Sequence, residues 1–195
     1  WSTCGLCEQK YHGVVRCALG WACWKTYVGR PETNGAQRFA MTSLGNGLVA
    51  AEYHADALPV IEAELSTLRR LGASENNILI AQGNLANTYE FVGRLEEALP
   101  IKRDVYFGYV KLFGEQHRTT LVVANNYALS LCKLGCVEEA KSWLRKMIPV
   151  ARRVLDEADE VTLNMRKLYV MATVLDPAAT LDDLREAATT LEEMA

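Results

Sequence analysis

The chain has 195 residues, half of them hydrophobic, and a formal net charge of −3 at pH 7. This composition is typical of a folded globular protein and not of a disordered chain. A small negative net charge gives no electrostatic basis for binding nucleic acid. No apolar run reaches the roughly 18 residues that a membrane-spanning helix needs. We therefore expect a cytoplasmic protein with no nucleic-acid partner and no membrane contact.

The chain begins at Trp1 and not at Met, and it stops at Ala195 within a helical pattern. We therefore expect a fragment with sequence missing at both ends, so the lack of a targeting signal says little. Four of the six cysteines come before residue 24. This clustering favours reduced thiols, some of them candidate metal ligands, over a disulfide framework.

The first segment, residues 1–13, contains Cys4 and Cys7 at C-x-x-C spacing. Two thiolates can bind one zinc ion, but a closed structural site needs four ligands. His12, Cys17 and Cys23 lie nearby. The two later cysteines are six residues apart in a helical pattern, which is not a same-face spacing. Buried small side chains are therefore the favoured interpretation of Cys17 and Cys23.

The same segment, WSTCGLCEQKYHG, resembles the end of a RING-CH (RING-variant) zinc finger, whose last ligand pair is a C-x-x-C. The resemblance implies that Cys4 and Cys7 are the last two of eight zinc ligands, with the other six before Trp1. It also implies a parent ubiquitin ligase that recruits a ubiquitin-conjugating enzyme. Residues 1–13 are thus assigned as the remnant of a zinc finger, with zinc as the candidate cofactor.

A second segment, residues 14–33, begins with apolar residues that cover most of a helix. Gly29, Arg30 and Pro31 end it, since proline cannot continue a helix and restricts the residue before it. Terminal solenoid repeats need a cap. We therefore expect an aromatic-rich capping helix that docks on the first repeat, followed by a linker.

The rest of the chain, residues 34–195, is repetitive. Asn84 recurs as Asn126 and Gly93 recurs as Gly135, 42 residues later in each case. Such a period indicates a solenoid, and two apolar-periodic segments around each glycine predict helix–turn–helix units that must stack to bury their apolar faces. The prediction is an all-α solenoid of about four repeats, at residues 36–75, 76–117, 118–159 and 160–195.

The pattern within a repeat points to one family. Repeat two has a small residue in its first helix, an aromatic one turn later, a turn glycine and an alanine in its second helix: Ala86, Tyr89, Gly93 and Ala98. This resembles the tetratricopeptide (TPR) pattern, whose usual period is 34. The longer period, with the segments 112–117 and 125–128, resembles the TPRs of kinesin light chains. The resemblance implies a right-handed superhelix whose first helices line a concave groove for a peptide or partner helix.

Six polar residues fall in the slots that would face this groove: Asn46, Asn84, Asn87, Asn125, Asn126 and Lys133. A carboxamide suits peptide recognition because it can both donate to a C=O group and accept from an N–H group. The alternative is that these residues merely solvate an exposed helix face. Only Lys133 and Lys167 are basic residues near the asparagines, so recognition of an acidic C-terminus is not expected.

Other motifs favour structural roles. Residues 45–50 match G-x-G-x-x-A, but a dinucleotide site needs a preceding strand, and here the pattern is helical. We expect Gly45 to mark a close helix contact instead. His54 and His117 should cap or pack at helix junctions. Cys132 and Cys136 should pack near a turn.

No catalytic motif is present, so no catalytic residue is assigned. Two hypotheses remain for function. The first is a non-catalytic scaffold that binds a peptide or protein partner in the groove. The second is the substrate-recruiting part of a RING-CH-type ubiquitin ligase.

Overall fold

The computed structural model describes residues 10–31 and 33–192, and these residues form nine α-helices and no strand. The chain divides into two compact units, Trp1–Arg94 and Leu95–Ala195. Within the first unit each helix packs against the next along the chain. Its helices are α1 (Gly13–Tyr27), α2 (Gly35–Ala50), α3 (His54–Arg70) and α4 (Glu75–Phe91).

The second unit is also built from consecutive packed helices, and here α6 contacts α8 as well. Its helices are α5 (Leu95–Phe113), α6 (Arg118–Lys133), α7 (Val137–Leu155), α8 (Glu160–Leu175) and α9 (Leu181–Glu192). The even-numbered helices α2, α4, α6 and α8 start within one residue of the predicted repeat starts. The boundary between the two units falls inside the predicted second repeat, so the domain division stays a prediction.

A side-chain cap begins each of the four first helices of the repeats. The capping side chain accepts a hydrogen bond from a backbone N–H group in the first turn, which satisfies one of the donors that a helix start leaves without a partner. The four capping residues are Asn34, Ser74, His117 and Asp159. The sequence expectation for His117 is thus confirmed. The ring of His54 stacks on that of Phe91 at 4.3 Å, which is a packing role.

The last helix begins with a capping box. The backbone N–H of Thr180 donates to Asp183 at 2.9 Å, and the backbone N–H of Asp183 donates to the Thr180 hydroxyl at 3.2 Å. The Thr180 hydroxyl also donates to the Asp183 carboxylate at 2.6 Å, and the two hydrogen bonds that this carboxylate accepts hold the pKa of Asp183 below its usual value. The short carboxylate of aspartate therefore replaces the usual glutamate.

In the first three repeats, the turn between the two helices has a left-handed residue at the same place. Gly93 has φ +81° and Gly135 has φ +73°, and in the first repeat the position is filled by Glu52 at φ +64°. Glycine adopts this conformation without a steric penalty, whereas a side chain costs about 1–2 kcal/mol. Glu52 is therefore a strained position within an otherwise regular pattern.

Two opposite substitutions test this turn. Gly135→Ala is expected to lower the free energy of unfolding by about 1 kcal/mol or more, because no atom would clash with the new Cβ and backbone strain alone remains. Glu52→Gly is expected to raise it by about 0.5–1 kcal/mol. Urea unfolding followed by circular dichroism measures both. A loss of stability in Glu52→Gly would contradict the assignment of Glu52 as a strained left-handed position.

The N-terminal helix docks differently from the sequence expectation. Helix α1 does pack on α2, but its buried residues are Cys17, Gly20 and Cys23, whereas Trp21 is 45% exposed. A Cβ built on Gly20 would lie 2.7 Å from the carbonyl oxygen of Ser43. The two backbones are thus too close for large side chains, so small residues form the contact. Helix α1 thus packs on the first helix of the first repeat, but small residues and not its aromatic residues form the closest contact.

The core of the second unit forms around α6, α7 and α8. Its fully buried members include Leu121, Leu144, Met147 and Met165, and Trp143 packs against them. The indole N–H of Trp143 donates to the backbone oxygen of Ala124 at 3.1 Å. This hydrogen bond fixes the backbone of α6 directly before Asn125. The core therefore supports the part of α6 that carries the predicted groove residues.

Candidate interaction surface on the first helices

The predicted groove residues all lie on first helices. Asn46 lies on α2, Asn84 and Asn87 on α4, and Asn125, Asn126 and Lys133 on α6. Asn87 and Lys133 are exposed, and the other four are partly buried. Helix α6 belongs to the second compact unit, whereas α2 and α4 belong to the first. The structure therefore describes two separate sets of these residues.

The two asparagines that match in sequence also match in local geometry. The hydroxyl of Thr88 donates to the backbone oxygen of Asn84 at 2.9 Å, and the hydroxyl of Ser130 donates to that of Asn126 at 3.0 Å. Both are the i to i−4 bonds that Ser and Thr form within helices. The backbone environment is therefore repeated in α4 and α6, with a carboxamide at the same register in each helix.

The carboxamides of the five asparagines form no hydrogen bond with any residue that the structure describes. The side-chain oxygen of Asn125 is also buried. Buried polar atoms in proteins nearly always have a hydrogen-bond partner. The five carboxamides are therefore donors and acceptors that the described fold itself does not use.

Asn46 has a setting of its own, because α1 lies beside it. It lines a cavity of about 220 Å³ together with Arg16 and Cys23 from α1 and Phe39 and Thr42 from α2. Sequence reasoning missed Arg16 as a basic neighbour of an asparagine. No sequence signal could have linked them, since the two residues come from different helices and only the docking of α1 brings them to one cavity.

The tyrosines around α6 are held in place by acidic residues. The Tyr127 hydroxyl donates to Glu139 of α7 at 3.0 Å, and burial, with this hydrogen bond, raises the pKa of Tyr127 to about 12. The Tyr106 hydroxyl donates to Glu115 at 3.0 Å, and burial likewise raises its pKa. Both hydroxyls stay protonated at neutral pH, so they serve as structural donors.

The candidate zinc ligands Cys4 and Cys7 lie outside the described residues, so the zinc site stays a prediction. Among residues 10–31 and 33–192, no group of three or more His, Cys, Asp or Glu side chains could hold a metal ion. Cys17 and Cys23 are buried, as expected. Cys132 and Cys136 pack against the core. Four cysteines in the described range carry free thiols: Cys17, Cys23, Cys132 and Cys136.

The G-x-G-x-x-A match at residues 45–50 lies within the last turns of helix α2, with no strand before it. A Cβ on Gly45 would lie 3.1 Å from a side-chain carbon of Ile61 in α3. Gly45 thus marks a close helix contact, as expected. The same helix has a tighter contact at Gly47, where a Cβ would lie 2.8 Å from the carbonyl oxygen of Arg16.

Comparison with solved structures gives the fold class. The nearly identical TPR-like repeats of a Podosopora anserina protein described as a kinesin light chain match with a TM-score of 0.72, at 17% sequence identity. The match covers 92% of this chain and 91% of that one, for the unaltered protein and for a point variant alike. The chain has a TPR-like repeat fold.

A further solved structure matches the chain at lower similarity. BtubC (BKLC) from P. vanneervenii matches with a TM-score of 0.62 at 15% identity, over 92% of this chain and 81% of that one. No protein-family model and no curated protein matches the chain. The RING-CH resemblance thus gains no support. Within the described part of this TPR-like chain, no helix is long and apolar enough to cross a membrane.

Proposed function

We propose that the chain is a protein-interaction scaffold that binds a peptide or a segment of a partner protein along its first helices. The observation that carries this proposal is the pair Asn84 and Asn126. Their carboxamides sit at the same register of two first helices, are partly buried, and have no hydrogen-bond partner among the described residues. The TPR-like fold supports a scaffold role in general.

The proposed binding depends on recognition of the ligand's peptide backbone by the asparagine side chains. Each carboxamide can accept from a peptide N–H group and donate to a peptide C=O group, and each such hydrogen bond contributes about 0.5–1.5 kcal/mol net. Preorganised donors and acceptors bind better because less conformational freedom is lost. The hydrogen bond from Trp143 to Ala124 provides such preorganisation for the α6 positions. Several weak contacts of this kind then add up to specific binding.

The partner that fits is an extended peptide read largely through its backbone. Lys133 is exposed at the end of α6 and Lys167 is exposed on α8, which offers few cations beside the asparagines. An acidic C-terminus is therefore not the favoured ligand. We also propose that the protein is located in the cytoplasm. The ubiquitin-ligase hypothesis gains no observation in its favour, and zinc analysis of a protein extended upstream of Trp1 would test it.

Binding to a peptide library tests the proposal. A phage-displayed library of random linear peptides is selected on the wild-type protein, and the selected peptides are synthesised with a fluorophore. Fluorescence polarisation then gives Kd for the wild type and for the double variant Asn84→Ala and Asn126→Ala. We expect about a tenfold weaker Kd in the double variant, with an unchanged melting temperature.

The matched control is Ser142→Ala, which removes one exposed polar group from the second helix α7. Its Kd should equal that of the wild type. If the selected peptides bind the double variant as tightly as the wild type, the asparagines do not form the binding surface. If selection yields no peptide that binds the wild type specifically, the scaffold proposal itself fails.

A further inference from the structure

A further surface lies on α1, on the side that faces away from α2. The outer face of α1 is the side formed by five exposed apolar residues: Val14, Val15, Ala18, Trp21 and Ala22. Val14 is 67% exposed, Val15 is 49% exposed and Trp21 is 45% exposed. The spacing from Val14 is i, i+4, i+7 and i+8, which places these residues on one side of a helix. The buried residues of α1 lie on the opposite side.

This face is unusual because α1 is apolar on both sides. A surface helix normally has one apolar side and one polar side, and a helix that is apolar all round is normally buried. Helix α3 of the same unit has the usual pattern, since its exposed residues include Asp56, Glu62 and Arg69. Single exposed apolar side chains are common, but a continuous apolar face marks an interaction site. The outer face of α1 therefore has the character of a docking surface.

A cavity of about 480 Å³ lies beside this face. Trp21 contributes to its wall, together with Tyr53, Pro59 and Val60 from the start of α3. Tyr53 is 50% exposed. Asp56 is the one charged residue in the described wall, and its carboxylate in the first turn of α3 is favourable to the helix dipole. The cavity has room for a large apolar side chain, so it can receive an anchor residue of a partner.

The surroundings of the outer face are positively charged. Residues 10–31 contain four basic side chains and no acidic one. Arg16 lies near the start of α1, Lys25 lies in its last turn, and Arg30 follows the helix. None of these three residues forms an ion pair in the part of the chain that the structure describes. The cations at the two ends of the apolar face are therefore available to carboxylates of a partner.

We propose that the outer face of α1 binds an amphipathic helix of a partner protein, with acidic side chains beside the apolar stripe of that helix. The stripe covers Val14 and Trp21, and its largest side chain enters the cavity beside Trp21. Ala18 and Ala22 are one turn apart, and their small side chains let the partner helix approach closely. The cations at the two ends of the face then favour an acidic partner over a basic one.

An anionic membrane presents apolar and acidic groups too, but it fits this surface less well. The chain as a whole has a net charge of −3, so an extended anionic surface would repel the rest of the molecule. Each cation near such a surface contributes only about 1 kcal/mol. A single helix can reach the cations of α1 without facing the acidic remainder of the chain. The site includes none of the groove asparagines, so it does not rest on the proposed function.

Selection from a helical peptide library tests the proposal. A phage-displayed library presents a designed helix with a fixed stripe of leucines and one central tryptophan, and the positions beside the stripe are randomised to glutamate, lysine or glutamine. The library is depleted on the double variant Val14→Ser and Trp21→Ser and then selected on the wild-type protein. We expect glutamate to be enriched over lysine beside the stripe. If no helix is enriched, or if lysine is enriched, the proposal is overturned.

Charge reversal at Lys25 tests the acidic part of the proposal. A selected peptide and a counterpart with lysine in place of each glutamate are synthesised with a fluorophore, and fluorescence polarisation gives Kd. We expect Lys25→Glu to weaken binding of the acidic peptide at least fivefold and to strengthen binding of the basic one. The matched control is Arg153→Glu, an exposed residue of α7, which should change neither Kd. Equal effects of the two substitutions would refute the charge complementarity.

Tyr53→Ser tests the cavity without altering α1, so the proposal stays testable if substitutions in α1 unfold that helix. It is expected to weaken binding of the selected peptide at least fivefold. The control is Phe107→Ser, which removes a 57% exposed aromatic side chain from α5 and should leave Kd unchanged. An unchanged Kd in Tyr53→Ser would show that the cavity holds no anchor residue.

Two measurements on the wild-type protein exclude other occupants of the face. The protein should not cosediment with vesicles of about 30% phosphatidylserine, and sedimentation velocity should show a monomer. If vesicle binding is observed and is lost in the double variant Val14→Ser and Trp21→Ser, the face binds a lipid surface and the proposal is overturned. A dimer that is lost in the same variant would overturn it in favour of a second copy of this chain.

Discussion

Gly47→Ala is expected to lower the melting temperature by about 3–10 °C. Its Cβ would lie 2.8 Å from the carbonyl oxygen of Arg16 and 3.0 Å from the Cα of Cys17. These are backbone atoms, so α1 and α2 must move apart to admit the methyl group. Overpacking of this kind costs about 1–3 kcal/mol, and 1 kcal/mol shifts the melting temperature of a chain this long by about 2–4 °C.

Gly83→Ala is the matched control for this substitution. Gly83 lies within α4, and a Cβ there would meet no atom within 4 Å. Alanine favours a helix over glycine by about 1 kcal/mol, so this variant should be as stable as the wild type or more so. Thermal unfolding followed by circular dichroism compares the two variants. Equal stability of Gly47→Ala and Gly83→Ala would refute the close α1–α2 contact.

Lys141→Met is expected to lower the melting temperature by about 5–10 °C, because it leaves a buried carboxylate without its main partner. The Nζ of Lys141 lies 2.6 Å from Asp176, and each side chain is only 5% exposed. Lys141 also contacts Glu138 of its own helix at 3.0 Å. The pair ties α7 to the loop that joins α8 and α9.

The same pair gives a pH dependence. The hydrogen bond from Lys141, assisted by the backbone N–H of Ala178, lowers the pKa of Asp176 from 3.8 to about 2. Because the folded pKa is the lower one, the stabilisation is complete above about pH 3.8 and is lost as the pH falls towards 2. The melting temperature of the wild type should therefore drop over this range more steeply than that of Asp176→Asn.

Lys146→Met serves as the control for Lys141→Met. Lys146 lies on the same helix and pairs with Glu115 at 3.4 Å, but its side chain is 64% exposed. Exposed ion pairs contribute little, so the melting temperature should change by no more than about 2 °C. Equal effects of the two substitutions would show that the pair with Asp176 is not effectively buried.

The sequence was sufficient to predict the helical repeats, because their signals are local. The 42-residue recurrence of Asn84 and Gly93 follows from hairpins of equal length, and Gly93 and Gly135 provide the left-handed residue of their turns. The capping box at Thr180 is a four-residue motif that forms its own hydrogen bonds. Such features depend on neighbouring residues and not on the packing of distant helices.

Contacts between distant residues could not be predicted in the same way. Gly20 and Gly47 read as ordinary helix positions, and only the approach of α1 to α2 explains why they are small. Lys141 and Asp176 look like solvent-exposed charges, yet they meet in a buried pair. Arg145 and Arg166 line one cavity, although they come from two helices that only tertiary packing brings together.

The candidate groove could be predicted from the sequence only in part. Helical periodicity was enough to assign Asn84 and Asn126 to equivalent positions, and their matching hydrogen-bonded turns agree with that assignment. The chemistry of the groove is a property of whole helix faces, so single residues could indicate a class of ligand only. The cavity that Asn46 shares with Arg16 required the position of α1.

The most direct test of the account is to locate a selected peptide on the protein by NMR. The side-chain carboxamide signals of the asparagines are assigned by substitution and followed during a titration with the peptide. We expect the largest shifts on the first helices, at Asn84, Asn87, Asn125 and Asn126. Shifts that cluster on the second helices α3, α5 and α7, with unmoved carboxamides, would contradict it.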